Sequence, residues 1–351
     1  MKTYTCACGE LLYFENFSCV NCKREVGFLP DLVCLSSLEK PGDQGLYPAN
    51  AEEAKGKLYK KCQNYTQQGV CNWMIPAENP EAFCTSCRLD MVIPDLANAE
   101  NVKLWAAMEM AKRRLVYSAL RLKLPLANRI EEPQSGLGFR FMADMLNPDG
   151  SVASKVITEH NEGLITVNLS EADDAVREKM RTSMKEPYRT LLGHFRHESG
   201  HYYWDRLVKD TKFIEPYRAI FGDERQDYGE AMKKYYDNGA PANWVDSYIS
   251  AYSTMHPWED WAETWAHYLH IQDTLEVAGD FGLVGKRVKI APVADGMVKP
   301  KPFEEVMDTW AELAIVLNCL NRSMGMRDFY PFVLTKAVVD KLQFVSDVIA
   351  G

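Results

Sequence analysis

Apolar and polar positions divide the chain into three stretches. Up to about residue 95 the apolar residues come in short runs, broken by turn residues and cysteines, and no long helical period is sustained. From 98 to 123 the period turns helical. Val102, Trp105, Ala106, Met108, Leu115, Val116, Ala119, Leu120 and Leu122 recur near helical spacing, Lys112, Arg113, Arg114 and Arg121 decorate them, and Pro125 marks the end. The third stretch opens on strand-like pieces. Gly138–Met142 precedes a turn at Asn147–Gly150; Lys155–Thr158, a turn around Asn161–Gly163 and Leu164–Leu169 then predict a hairpin. After Ser170 the pattern is mostly helical. The expected fold class is α+β, with a cysteine-rich region over 1–95, a linking helix over 96–128 and a further domain over 129–351.

At 351 residues the chain is long enough for two or three domains and a sizeable core. Its 46% hydrophobic and 25% charged content are ordinary for a globular protein. The net charge of −9 argues against holding nucleic acid or an anionic membrane by overall charge. The first residues carry no signal-peptide core, and the longest apolar run, Leu313–Leu317, falls far short of a membrane span. The expected location is the cytoplasm.

Nine of the ten cysteines lie within the first 87 residues, which in a reducing compartment reads as metal binding. Cys6 and Cys8 with Cys19 and Cys22 form two close pairs that can converge on one tetrahedral zinc. Cys62, Cys71, Cys84 and Cys87 end in a second Cys-x-x-Cys and suit a second zinc. Cys34 and Cys319 fit neither pattern and are expected as small buried apolar residues. Residues 1–95 hold nine Lys and Arg against twelve Asp and Glu, so a phosphate-binding role for these modules is disfavoured. A structural or protein-contacting role fits better.

His197-Glu198-Ser199-Gly200-His201 carries the strongest chemical signal. On a helix, positions i and i+4 share a face, so both imidazoles can reach one metal. Zinc lowers the pKa of water, and Glu198 stands beside the histidines to take the proton. A helix over Tyr188–Val208, starting after Pro187, would carry the motif, and Gly200 would admit another element closely. His194 lies one turn before His197 and reads as a packed histidine ahead of a ligand. Asp205, one turn after His201, could orient a histidine or pair at the surface.

A hydrolytic zinc site needs a third protein ligand and an open position. Pro257 suits the first turn of a helix on which Glu259 and Glu263 share a face, while Ala262 and Ala266 leave room for close packing. One glutamate would ligate and the other would brace a histidine. Tyr252, just before this helix, could donate to a developing oxyanion or simply pack. Asp223, Glu224, Arg225, Asp227 and Tyr228 form a polar cluster that reads first as a solvated loop and second as pocket lining. His267 and His270 are expected to be packed or on the surface.

The pattern Tyr252-x6-Glu259-x-x-Ala262-Glu263, following the HExxH helix, resembles the gluzincin peptidases of the anthrax lethal factor type. That resemblance implies Glu259 as the zinc ligand, Glu263 as the brace behind it and Tyr252 as the assisting phenol. Nearly the whole chain resembles a bacterial family of zinc-binding metallopeptidases with an N-terminal zinc-ribbon region. The stretches that carry this are Cys84–Cys87, Ile93–Leu96, His194–Tyr203, Phe221–Arg225, His256–Glu263 and Ala266–His270. The resemblance implies a zincin-like metallopeptidase domain behind small zinc-ribbon modules, with one catalytic and two structural zinc ions. The expected activity is zinc-dependent hydrolysis of a peptide or protein substrate, with Glu198 as general base and an exposed edge strand within 155–169 pairing with the peptide. The rival readings are a protein-binding scaffold with an inactive zincin domain and a protease tethered to nucleic acid. Intact Glu198 speaks against the first, and the acidic ribbon region against the second.

Overall fold

In this computed structural model the described residues are 2–147, 149, 151–184, 186–283 and 302–351. They divide into two compact units, Met1–Ser183 and Met184–Gly351.

The first unit begins with short antiparallel pieces whose loops carry the cysteines. β1 (Tyr4–Thr5) pairs with β2 (Leu11–Leu12), and β3 (Val26–Leu29) with β4 (Cys34–Ser37). β5 (Tyr47–Pro48), β6 (Leu58–Lys61) and β7 (Met74–Pro76) form a three-stranded sheet, with the single turn α1 (Gln63–Thr66) between β6 and β7. β8 (Asp90–Val92) leads into α2 (Ala99–Arg121), which Asn98 caps by accepting from the Glu100 amide. The expected helix is thus present with its ends trimmed.

After α2 come β9 (Gly138–Met142), β10 (Met145–Leu146), β11 (Val152–Ser154), β12 (Glu159–Asn161) and β13 (Leu164–Asn168), then α3 (Asp174–Ser183). β10 pairs with β11, and the others join β8 in a sheet of order β12-β13-β9-β8, with β9 parallel to both of its neighbours. The expected hairpin exists, but its first strand is β12 and not Lys155–Thr158. The reason lies in Val156, whose amide donates to Asp144 Oδ1 at 2.8 Å and whose carbonyl accepts from Asn168 Nδ2 at 2.9 Å. Side chains have taken the backbone groups a strand would need. The two-residue loop, Glu162 at φ 47° and Gly163 at φ 86°, has the left-handed backbone that a tight hairpin requires. In the expected turn at Asn147–Gly150, Pro148 and Gly150 lie outside the described residues.

Phe14, Phe28, Trp73 and Tyr117 form the unit's aromatic core, with Phe28 and Trp73 centroids 4.5 Å apart and Phe14 edge-on to Tyr117 at 5.3 Å. Tyr117 lies on α2, so the cysteine-bearing loops and the long helix share one core.

The second unit is helical: α4 (Leu191–Leu207), α5 (Ile214–Phe221), α6 (Tyr228–Asn238), α7 (Pro257–Asp280), α8 (Phe303–Ser323) and α9 (Lys336–Ala350). α4 starts three residues later than the expected Tyr188, because the Thr190 hydroxyl accepts from the Gly193 amide at 3.0 Å and fixes the end there. α4 and α7 touch closely. A Cβ on Gly200 would stand 2.9 Å from Ala262 Cα and 3.2 Å from Trp265 Cβ, so glycine is what permits the contact. Trp261 Nε1 donates to the Gly200 carbonyl at 2.8 Å, and Trp265 Nε1 to Ser199 Oγ at 3.3 Å. α9 is tied to α7 by Lys341, whose ammonium lies 2.6 Å from Asp260 Oδ2 with both groups buried.

No helix among the described residues is long and apolar enough to cross a membrane. Cys34 is buried as expected, with its thiol pushed up to about 12 by burial, but Cys319 is exposed on α8. The apolar run that includes Leu313 is one-sided: α8 buries Leu313 and turns Cys319, Leu320 and Ile315 outward.

Candidate metal centre

The ribbon cysteines meet as their spacing predicts. In the first tetrad Cys6 Sγ lies 3.5 Å from Cys22 Sγ, and Cys8 Sγ 3.6 Å from Cys19 Sγ. In the second, Cys71 and Cys84 are 3.7 Å apart, and all four of Cys62, Cys71, Cys84 and Cys87 are buried. Thiolates around a tetrahedral zinc, each about 2.3 Å from it, stand about 3.8 Å apart, so both tetrads have the size zinc needs. Backbone amides support the second: Trp73 N–H donates to Cys71 Sγ and Cys84 N–H to Cys62 Sγ, each at 3.4 Å. Gly9, at φ 88°, makes the tight turn after Cys8.

Near Cys87 the carboxylates of Asp90 and Glu109 also gather, but there the ammonium of buried Lys112 lies between them as counter-ion. That group already has its cation.

The histidine centre is built by the packing of α4 on α7. His197 and His201 sit one turn apart on α4, with ring centroids 5.0 Å apart. Glu259 and Glu263 sit one turn apart on the facing side of α7. Glu259 Oε2 stands 2.9 Å from His197 Nε2, and Glu259 Oε1 3.4 Å from His201 Nε2. Donors about 2.0–2.2 Å from a tetrahedral zinc stand about 3.3–3.6 Å from one another, so these three groups can hold one ion. Glu263 plays a different part: its Oε1 accepts from His197 Nδ1 at 2.7 Å, leaving Nε2 as the nitrogen with a free lone pair.

Charge points the same way. Burial works against a positive charge on His197, yet Glu259 and Glu263 together drive that histidine well up. Burial likewise opposes ionisation of Glu259, yet His201 and His197 hold its carboxyl well below the usual range. A buried and a partly buried carboxylate around an imidazole call for a cation, and a divalent metal answers that need.

Glu198 is half-buried between the two histidines in the chain, and burial raises its carboxyl above the usual range. Tyr252 occupies a 3-10 turn before α7 with its ring 6.0 Å from that of His197. Burial pushes its phenol up, so it remains a donor. His194 is half-buried one turn before His197 and is not within the group of donors that could hold a metal. Asp205 is half-buried one turn beyond His201, with Lys209 Nζ 3.7 Å away.

α7 itself is fixed at this end. His256 caps it by accepting from the Trp258 amide at 3.1 Å, and Pro257 occupies its first turn. Glu259 therefore lies in the first turn, where the helix dipole favours a carboxylate. The Trp258 ring lies 4.0 Å from that of His201. His267 and His270 are packed, as expected: His267 Nδ1 is 2.8 Å from the Tyr330 hydroxyl, and His270 stands against Arg196.

Tyr228 departs from expectation. Its cluster reads first as a solvated loop, and Asp223 and Arg225 do form an exposed ion pair. Tyr228 instead turns inward, and its hydroxyl donates to Glu259 Oε1 at 2.9 Å. A lone tyrosine in a polar run gives no periodic signal, so spacing could not single it out.

The family described as "Putative zinc-binding metallo-peptidase" matches residues 101–348, and a zinc-ribbon domain family matches residues 3–98. Curated proteins similar to this chain come from Mycobacterium bovis and from two strains of Mycobacterium tuberculosis. Each is 39% identical over 351 residues, covering 99% of this chain and 95% of the relative, and each is named only as an uncharacterized protein. No solved structure matches. The family descriptions and the two cysteine tetrads agree on zinc as the metal.

Proposed function

The chain belongs to the zinc-binding metallopeptidase family and carries a zinc-ribbon domain before the part that matches it, and from that premise we propose that its histidine–glutamate centre hydrolyses peptide bonds. The observation that carries the reading is the convergence of His197, His201 and Glu259 with Glu263 behind His197 and Glu198 alongside. His197, His201 and Glu259 are the residues that hold the catalytic zinc, in a site of the gluzincin type; the two tetrads, Cys6, Cys8, Cys19 and Cys22, and Cys62, Cys71, Cys84 and Cys87, hold two structural ions.

When bound by these three residues, zinc would supply Lewis-acid chemistry, lowering the pKa of water and polarising a carbonyl. Glu198 takes the proton of the attacking water and delivers it to the leaving amine. Tyr252 donates its phenol hydrogen to the oxyanion as charge develops there. Glu263 holds the His197 ring in the orientation and tautomer that present Nε2. Asp205 pairs with Lys209 one turn beyond His201, and His194 packs beside the motif. The reducing cytoplasm, in which thiolates persist as metal ligands, is the compartment that suits this chain.

The test begins with zinc counted per chain by elemental mass spectrometry. About three ions in the wild type and about two in a folded His197→Ala, His201→Ala double variant are expected. Glu198→Gln should keep all of them and lose cleavage of a peptide library. Cleavage that survives in Glu198→Gln overturns the mechanism, and an unchanged zinc count in the double variant overturns the site.

A further inference from the structure

Tyr228 has no part in the chemistry above, yet its hydroxyl reaches Glu259 from outside α4 and α7. It stands at the first position of α6, a helix that buries none of its residues, and is itself 38% exposed. Packing alone gives such a helix little reason to send a side chain inward. The ring nevertheless lies edge-on to His256 at 5.3 Å and to Trp258 at 6.2 Å. The backbone around it is pinned as well: the Gln226 carbonyl lies 3.1 Å from His256 Nε2, and the Asp227 side chain caps α6 by accepting from the Glu230 amide at 2.7 Å.

Glu259 is 2% exposed, so solvent does little to satisfy its two oxygens. Their surroundings differ. Oε1 accepts from the Tyr228 hydroxyl at 2.9 Å and also lies 3.4 Å from His201 Nε2, whereas Oε2 is 2.9 Å from His197 Nε2. A carboxylate with both oxygens free can chelate a metal through both and fill the position that substrate needs. One with an oxygen held by a neutral donor has its orientation fixed.

We propose that Tyr228 is a positioning residue of the metal centre, its phenol anchoring Oε1 of Glu259 and so fixing how the glutamate presents its carboxylate to the metal. The inference rests on Glu259 being a zinc ligand and adds to it the group that decides how Glu259 binds. It also gives α6 a role: this exposed helix starts where the phenol must be delivered.

Tyr228→Phe removes one oxygen and keeps the ring, so the full-length protein can be compared directly. The zinc affinity of the histidine centre is measured by competition with a chelator. Its geometry is read from the visible spectrum of cobalt-substituted protein, as a difference against the His197→Ala variant. Tyr236→Phe, an exposed position on the same helix, is the control. The expected result is about 10–100-fold weaker zinc binding in Tyr228→Phe, the usual effect of losing a hydrogen bond behind a metal ligand. Weaker cobalt bands should accompany it, with Tyr236→Phe unchanged. Wild-type affinity and an unchanged cobalt spectrum in Tyr228→Phe overturn the proposal. If His197→Ala itself loses no metal, the reading of the centre falls as well; if it does and Tyr228→Phe matches wild type, only the role of Tyr228 falls.

Discussion

The second cysteine tetrad gathers four donors within 26 residues and buries all of them. The histidine centre gathers three donors from helices about sixty residues apart and leaves His197 and Glu198 half-buried. Four thiolates complete a tetrahedron and leave nothing for a substrate, while three donors leave a position open. The surroundings also differ. The ribbon cysteines sit on short loops between two- to four-residue strands, whereas α4 and α7 are locked by Gly200, Trp261 and Trp265. The first arrangement suits a metal that holds loops together; the second suits a metal presented by packing already in place.

The largest effect should come from removing ribbon donors. Structural zinc contributes on the order of 10 kcal/mol to small domains that depend on it. Replacing Cys62 and Cys71 together by serine should therefore remove one zinc and abolish the cooperative melting of the first unit, as read by calorimetry and limited proteolysis. The His197→Ala, His201→Ala variant should lose one zinc too, but with a melting point within a few degrees of wild type. If the two variants lose equal stability, the contrast between the sites is wrong.

Glu198→Gln should come next. Loss of a general base lowers turnover by about 10²–10⁴-fold. Zinc content and melting temperature should stay at wild-type values, since the carboxylate is not among the donors that meet the metal. A matching loss of zinc would make Glu198 a ligand and break the division of roles.

Gly200→Ala probes the helix contact that sets up the open site. Its Cβ would press on Ala262 backbone at 2.9 Å, which has no flexible end to yield. Overpacking of this kind costs about 1–3 kcal/mol. The expected outcome is a lower denaturation midpoint together with weaker zinc at the histidine centre. Unaltered stability would mean that α4 and α7 separate easily and that the site is less fixed than its packing implies.

What the sequence revealed, and what it concealed, follows the same contrast. The ribbon cysteines are close in sequence and chemically uniform, so the two groups that the structure brings together were legible, more plainly for Cys6, Cys8, Cys19 and Cys22 than for Cys62 and Cys71. The i, i+4 patterns of His197 with His201 and Glu259 with Glu263 were legible because one helical turn fixes what shares a face. Gly200 and Ala262 showed where two helices would meet. Tyr228 stayed hidden because its contact depends on how the α5–α6 segment folds back on α7, a tertiary fact with no period. The strand expected at Lys155–Thr158 failed for a related reason: Asp144 and Asn168 compete for the backbone of Val156, and apolar alternation does not register such competition. Cys319 was misread because residue type suggested burial, while α8 buries only one face.

The smallest effect expected separates two parts that Glu263 plays at once. Its Oε1 accepts from His197 Nδ1 at 2.7 Å, which fixes the tautomer, and its negative charge makes the opposite nitrogen a better donor to metal. Glutamine keeps an acceptor oxygen and removes the charge; alanine removes both. Glu263→Gln should weaken zinc by about tenfold, or about 1.4 kcal/mol, and Glu263→Ala by about a hundredfold. Chelator competition on the folded full-length variants reads both values. Equal losses would assign the whole effect to charge, because the retained acceptor would then count for nothing. A glutamine variant that binds like wild type would assign it all to ring orientation. The ribbon offers no counterpart: a thiolate has no second donor atom to be braced, so its neighbours can only hold the loop in place.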